Sequence, residues 1–262
     1  MDFVKKMAAA EPQNGEICLF WLGQAGFLVK NSRREWLAVD PYLSDLAERL
    51  DGNKRLMMPV MEAEDLKADI LLITHCHADH LDLDSLPAFL RGDTVLYGSR
   101  QTLEACKNID LPRNKIDIAE VGKIKKRKGF TVETVFADHG DAATGAVGFI
   151  VECEGIKIYF TGDTSYQMDR MKHAAEQNID ILILPINGEY GNMNERDAAM
   201  LAEQVKPRLT IPSHFWTFSR HRGNPYDFEN EMRAHAPDCP YYIMAQGESI
   251  YYSVSGGVRK NR

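Results

Sequence analysis

The chain has 262 residues, 44% hydrophobic and 26% charged, the balance of a globular protein that buries roughly three quarters of its unfolded surface. A formal net charge of −7 argues against a general nucleic-acid or anionic-membrane binder, which carries a basic excess. No apolar run approaches the ~18–20 residues of a membrane span. Met1 to Glu16 lacks the apolar core of a signal peptide, and the five cysteines form no CxxC pair, so reduced thiols in a cytoplasmic protein are expected.

In chain order, apolar runs predict strands over residues 17–22, 27–30, 36–39, 70–74 and 94–97, with helices over 81–91 and 100–107. Past Gly129 the alternation resumes. Strands are expected over 131–137, 147–153, 156–161, 181–184, 209–211 and 249–254, with helices over 166–177, 195–205 and 226–235. Glu154-Gly155 is a tight hairpin signal, and Asn194 with Asp197 before an alanine-rich run reads as a helix cap. Two strand-rich halves joining near 122–129, with helices outside, predict two stacked sheets between helical layers. The join carries Lys123, Lys125, Lys126, Arg127 and Lys128. Without interleaved aromatics in an acidic chain, it reads as a solvated hairpin turn.

The densest chemistry follows the strand at 70–74. His75, His77, Asp79 and His80 put three imidazoles and a carboxylate within six residues, a set that suits Zn, Mn or Fe. Other predicted strands end in similar polar elbows: Asp40, then Asp138-His139, then Gly162-Asp163 and Ser213-His214. A buried strand opening onto a loop is where chemistry sits on a rigid scaffold. Cys76 points away from His75 and His77 in an extended segment and reads as packing. His173 and His235 fall in charged helical patterns and read as surface residues.

The run His75-Cys76-His77-Ala78-Asp79-His80, followed by His139, Asp163 and His214, resembles the five-part signature of the metallo-β-lactamase superfamily, with Asp40 matching its first element. Three further stretches, residues 21–27, 146–149 and 159–164, are similar to the L-ascorbate-6-phosphate lactonase branch. The resemblance implies a four-layer αββα sandwich in a single domain over 1–262. It implies two divalent ions, Zn or Mn with Fe also accepted. His75, His77 and His139 would hold the first, Asp79, His80 and His214 the second, with Asp163 between them and Asp40 orienting a histidine. It also implies hydrolysis by a metal-bridging hydroxide, with Asp79 and Asp163 catalytic, on a small lactone of phosphorylated-sugar type. A phosphodiesterase built on the same core and a non-catalytic metal-binding protein are the alternatives. Redox relatives place Glu where His77 stands and carry a flavin domain, which argues against that chemistry here.

For substrate contacts, Gln24, Tyr42, Asn187, Glu189, Tyr190, Asn194 and Trp216 lie on loops expected near the metals. Arg220 and Arg222, in the basic run Ser219–Arg222, are candidates to receive a phosphate or carboxylate. The partner implied is a small molecule, with no membrane and no nucleic acid. Tyr241, Tyr242, Tyr251 and Tyr252 fit either a core sheet or a contact in a homo-oligomer.

Overall fold

Alternation along β1 (Glu16–Gly23) sets the layering in the computed structural model, which describes residues 2–260. Ile17, Leu19 and Trp21 enter one apolar cluster, while Cys18, Phe20 and Leu22 enter another. A strand apolar on both faces needs cover on both. β1 pairs with β2 (Gly26–Lys30), and the first sheet continues through β3 (Trp36–Val39), β4 (Ile70–Ile73), β5 (Val95–Gly98) and β6 (Ile116–Ile118). The second sheet runs from β7 (Ile124–Arg127) through β8 (Phe130–Phe136), β9 (Val147–Cys153), β10 (Ile156–Phe160) and β11 (Ile181–Pro185) to β12 (Leu209–Ser213). The chain then returns to the first sheet, where β13 (Ser249–Ser253) pairs with β1 and β14 (Gly257–Lys260) forms the edge.

The inner faces of both sheets meet in one core holding Trp21, Phe27, Val39 and Leu72 from the first and Val132, Phe149, Ile158 and Ile183 from the second. The outer face of the first sheet is covered by α1 (Phe3–Ala9) and α3 (Leu86–Phe89), the second by α5 (Met168–Ala175), α6 (Glu195–Val205) and α7 (Pro225–His235). Two shorter helices, α2 (Leu46–Asp51) and α4 (Arg100–Ala105), flank the first sheet's loops. The result is the expected αββα order.

Strand direction decides where function falls. β1, β3 and β4 point one way in the first sheet, and β8, β10, β11 and β12 share one direction in the second. Their carboxyl ends are stitched together: Val147 N donates to Thr74 O at 3.0 Å and His214 N to Gln24 O at 3.1 Å. Every elbow singled out in the sequence therefore opens onto the same edge of the sandwich.

Several expected elements are corrected. Residues 123–128 are not a solvated turn: Ile124–Arg127 is the edge strand β7, paired with β8, and the turn falls at Lys128. Its lysines and arginine are edge chemistry, which discourages pairing with another chain. Lys125 bonds Asp117, and Arg127 bonds the Asp69 and Asp93 carbonyls. The helix expected over 81–91 shrinks to Leu86–Phe89. Asp82 is the cause. Fully buried, it accepts from Leu43 N and Ser44 N (both 2.9 Å), Ser44 Oγ (2.6 Å) and Ser85 Oγ (2.7 Å), so residues 81–85 serve the 42–45 loop instead of a helix. Asp82→Ala leaves buried donors unpaired and is expected to cost about 3 kcal/mol in urea unfolding. A loss below about 0.5 kcal/mol would show that the network carries no weight. Tyr251 and Tyr252 are buried in the first sheet, and Tyr241 and Tyr242 run beside β12 of the second and pack against the shared core.

Candidate metal centre

The carboxyl end of β4 releases Thr74-His75, and the next turn is closed by His80 N donating to His77 O at 3.0 Å. This folds His75, His77, Asp79 and His80 back toward one point. β8 contributes His139, β10 contributes Asp163 and β12 contributes His214. Ligand atoms within 4.8 Å of one another form three overlapping groups: His75/His77/His139, Asp79/His80/His214, and His75/His80/Asp163 joining the two. His75 Nε2 lies 2.9 Å from His77 Nδ1, which lies 3.2 Å from His139 Nε2; His80 Nε2 lies 3.2 Å from His214 Nε2.

These spacings test whether a cation fits. Nitrogen ligands bound tetrahedrally at 2.0–2.1 Å stand about 3.3 Å apart, close to the separations seen. Lone pairs of neutral rings aimed at one another repel unless a cation or proton lies between them. Asp163 supplies the complementary charge: Oδ1 is 3.4 Å from His80 Nε2, and Oδ2 is 3.1 Å from His214 Nε2 and 3.8 Å from His139 Nε2. Oδ1 is buried without a hydrogen-bond donor. The donor set is nitrogen and carboxylate oxygen throughout, and it fits a divalent metal in each half.

The electrostatics agree. Burial opposes ionisation of Asp163, but His214 and His80 outweigh it and hold the carboxyl well below its usual range. Burial favours a neutral His80, yet Asp163, Asp79 and Asp40 together hold its imidazolium well above the ordinary value. A cation would displace that proton. His75 and His139 are pushed down, first by burial and then by neighbouring imidazoles, so they keep free lone pairs.

Orientation comes from residues behind the ligands. Asp40 accepts from Thr74 N (2.8 Å) and Thr74 Oγ1 (2.6 Å), and its Oδ2 lies 2.8 Å from His80 Nδ1. That contact turns His80 Nε2 toward the centre. Gly162 has φ +65°, and a Cβ there would meet Thr74 Cβ and Val147 O at 3.0 Å, so only glycine lets the Asp163 elbow pass Thr74. Left-handed backbone also appears at Gln24, Asp40, Tyr190, His214 and Trp216.

Residues 18–214 match the Beta-lactamase superfamily domain family. An Archaeoglobus fulgidus protein described as a UPF0173 metal-dependent hydrolase is 31% identical over 261 residues, covering 89% of this chain and 98% of its own. The chain belongs to the metallo-β-lactamase superfamily. Within it, the chain falls in the UPF0173 metal-dependent hydrolase family. Solved structures share the superfamily fold: the metallo hydrolase Igni18 from Ignicoccus hospitalis superposes with a TM-score of 0.72 at 23% identity, covering 91% of this chain and 99% of Igni18. An isothiocyanate hydrolase from Delia radicum gut bacteria superposes at 0.71 with 18% identity, covering 90% and 99%.

Above the superfamily's histidine cluster opens a cavity of ≈ 320 Å³, a volume suited to a small molecule. His77, Asp79, His139, Asp163 and His214 form part of its lining, together with Asp51, Asn53, Tyr190, Phe218, Arg220 and His221. Several expected substrate contacts are placed elsewhere. Trp216 is 56% exposed, edge-on to Phe215, and does not line the cavity. Arg222 is paired with Glu189 at 3.2 Å, outside it. Asn194 caps α6, its side chain accepting from Asp197 N at 2.9 Å. Tyr42 is buried beneath Arg55. Asn187 lies behind Asp163, bonded through Asn192, whose Nδ2 donates to Asp163 Oδ2 at 2.7 Å. Gln24 is buried against the centre, its Nε2 2.6 Å from Asp79 Oδ2.

Asn192 and His221 were missed. Asn192 is a lone amide in a polar loop and carries no sequence signal. In sequence His221 is one member of the basic run Ser219–Arg222, yet it is buried and its ring stacks on His214 at 4.5 Å. Burial, then His214, pushes it to about 3, the behaviour of a neutral interior ring. Cys76 packs against the outer cluster of the first sheet, and His173 pairs with Glu133 on the surface.

Proposed function

We propose that the chain is a hydrolase that opens a small lactone, of phosphorylated-sugar type, with two divalent ions of Zn or Mn in the paired ligand groups. The observation that carries this reading is the pair of ligand groups linked through the third group, His75/His80/Asp163, on the wall of a small-molecule cavity. Ions held there would supply the Lewis acidity that ionises water near neutrality and polarises an electrophile.

The chain's own residues do the rest. Asp79, whose side chain is 16% exposed, faces the cavity and can take the proton of an attacking water at a carboxylate oxygen. Asp163 is fixed by Asn192 and keeps its charge between the two groups. Arg220 lines the cavity, and no carboxylate lies within ion-pair distance of it among the described residues, so it is the side chain free to meet a substrate phosphate. With Arg222 held by Glu189, phosphate capture rests on Arg220 alone.

A panel of lactones, phosphodiesters and thioesters, assayed with Zn- and Mn-loaded protein, tests the reading. Lactone turnover is expected, with phosphorylated lactones preferred by about tenfold or more and the preference lost in Arg220→Ala. Turnover confined to phosphodiesters would transfer the assignment to that class, and two bound metals with no turnover would favour a binding role.

A further inference from the structure

Among the described residues His221 is the one cavity-lining imidazole outside the ligand groups, and its neighbours bear on both its plane and its hydrogens. It is stacked on His214 with ring planes 23° apart and meets Phe218 edge-on at 4.9 Å, so it is packed on two sides. Its Nδ1 faces Gln24 Nε2 at 3.3 Å, while the same Gln24 nitrogen sits 2.6 Å from Asp79 Oδ2 and 3.0 Å from His214 Nε2. An amide oxygen placed 2.6 Å from a carboxylate would be repelled, so the carboxamide must present its NH₂ there. One hydrogen goes to Asp79, and the other faces His214 Nε2 and His221 Nδ1; with the His214 lone pair given to a cation, it falls to His221 Nδ1. The Gln24 main chain is held by its backbone carbonyl, which accepts from Trp21 Nε1 at 3.0 Å and from His214 N at 3.1 Å, while the side-chain Oε1 is buried without a donor.

An Nδ1 that accepts forces the hydrogen of a neutral imidazole onto Nε2. That atom has no hydrogen-bond partner within the described residues and is not sealed inside the protein. We propose that His221 is a further catalytic residue, whose Nε2–H, held in one tautomer by the Asp79–Gln24 pair, donates a hydrogen bond to the substrate oxygen on which negative charge develops. The proton stays on Nε2 throughout, so the role is electrostatic stabilisation and no imidazolate forms. Gln24 acts through His221 and is its positioning residue. This inference rests on the hydrolytic reading for its substrate, but the tautomer does not.

Two measurements test it. In Zn-loaded protein carrying ¹⁵N-labelled histidine, long-range ¹H–¹⁵N spectra should show His221 as a single Nε2–H tautomer, and Gln24→Met should produce a mixture. An Nδ1–H tautomer in the wild type overturns the proposal whether or not a substrate is known. On a lactone that the wild type turns over, His221→Ala should lower kcat by about 10²–10³ with KM changed less than about threefold. Zn stoichiometry should be unchanged. His221→Gln, which can bring an amide N–H to the same place, should recover at least about tenfold of that loss. Full kcat in His221→Ala refutes the catalytic role. Absence of wild-type turnover instead refutes the hydrolytic reading and leaves the spectrum to decide where the hydrogen lies.

Discussion

Asp163→Asn should reduce bound metal to one equivalent or fewer and lower hydrolysis by at least about 10³-fold, because several kcal/mol of charge stabilisation go with the ions. The substitution keeps shape and removes charge. Asn192 can still find an acceptor at position 163, so the loop it anchors has reason to stay in place. The oxygens now within 3.1–3.8 Å of His80, His214 and His139 would lose the charge that would offset the dications proposed there. His75→Ala is a complementary case, since it deletes a nitrogen shared by the His77/His139 group and the His80/Asp163 group. Elemental analysis and circular dichroism read metal content and fold separately. Native metal content in Asp163→Asn, or unchanged turnover in a metal-depleted variant, would sink the shared-carboxylate arrangement.

Much of this architecture was legible because of where the chain puts its polar residues. His75, His77, Asp79 and His80 are contiguous, and the remaining ligand candidates each follow an apolar run long enough to be a buried strand. Period-two alternation could not say that β13 and β14 return to the first sheet beside β1, since pairing partners are chosen by tertiary packing. Nor could it find β6 or β7, which are three and four residues long and half-exposed. The helix expected over 81–91 failed for a tertiary reason: Asp82 spends its oxygens on Leu43, Ser44 and Ser85. His221 was hidden by its neighbours. Between Arg220 and Arg222 it reads as surface charge, and only the fold turns it onto His214 while both arginines stay exposed. The substrate loops were the weakest part because proximity to a strand end says nothing of which side chain faces the cavity.

Asp40 separates orientation from stability. Its backbone has φ +42°, a conformation asparagine tolerates and alanine does not. In Asp40→Asn the carbonyl oxygen can still accept from Thr74 N, but the NH₂ would stand 2.8 Å from His80 Nδ1 and donate to it. His80 is then left with its hydrogen on Nε2, the atom that faces Asp163 and His214, and cannot offer a lone pair to a cation. The group Asp79/His80/His214 should therefore lose metal affinity by about 10–100-fold, with the group His75/His77/His139 affected much less. Asp40→Ala adds an unpaired buried Thr74 N–H and strained backbone, and should also lose about 2–3 kcal/mol of stability. Competition titration with a chelating dye and urea unfolding of both variants give a two-by-two outcome. If Asp40→Asn binds two metals as tightly as the native chain, the carboxylate does not set the His80 tautomer, and the approach of Asp40 to that ring is packing alone.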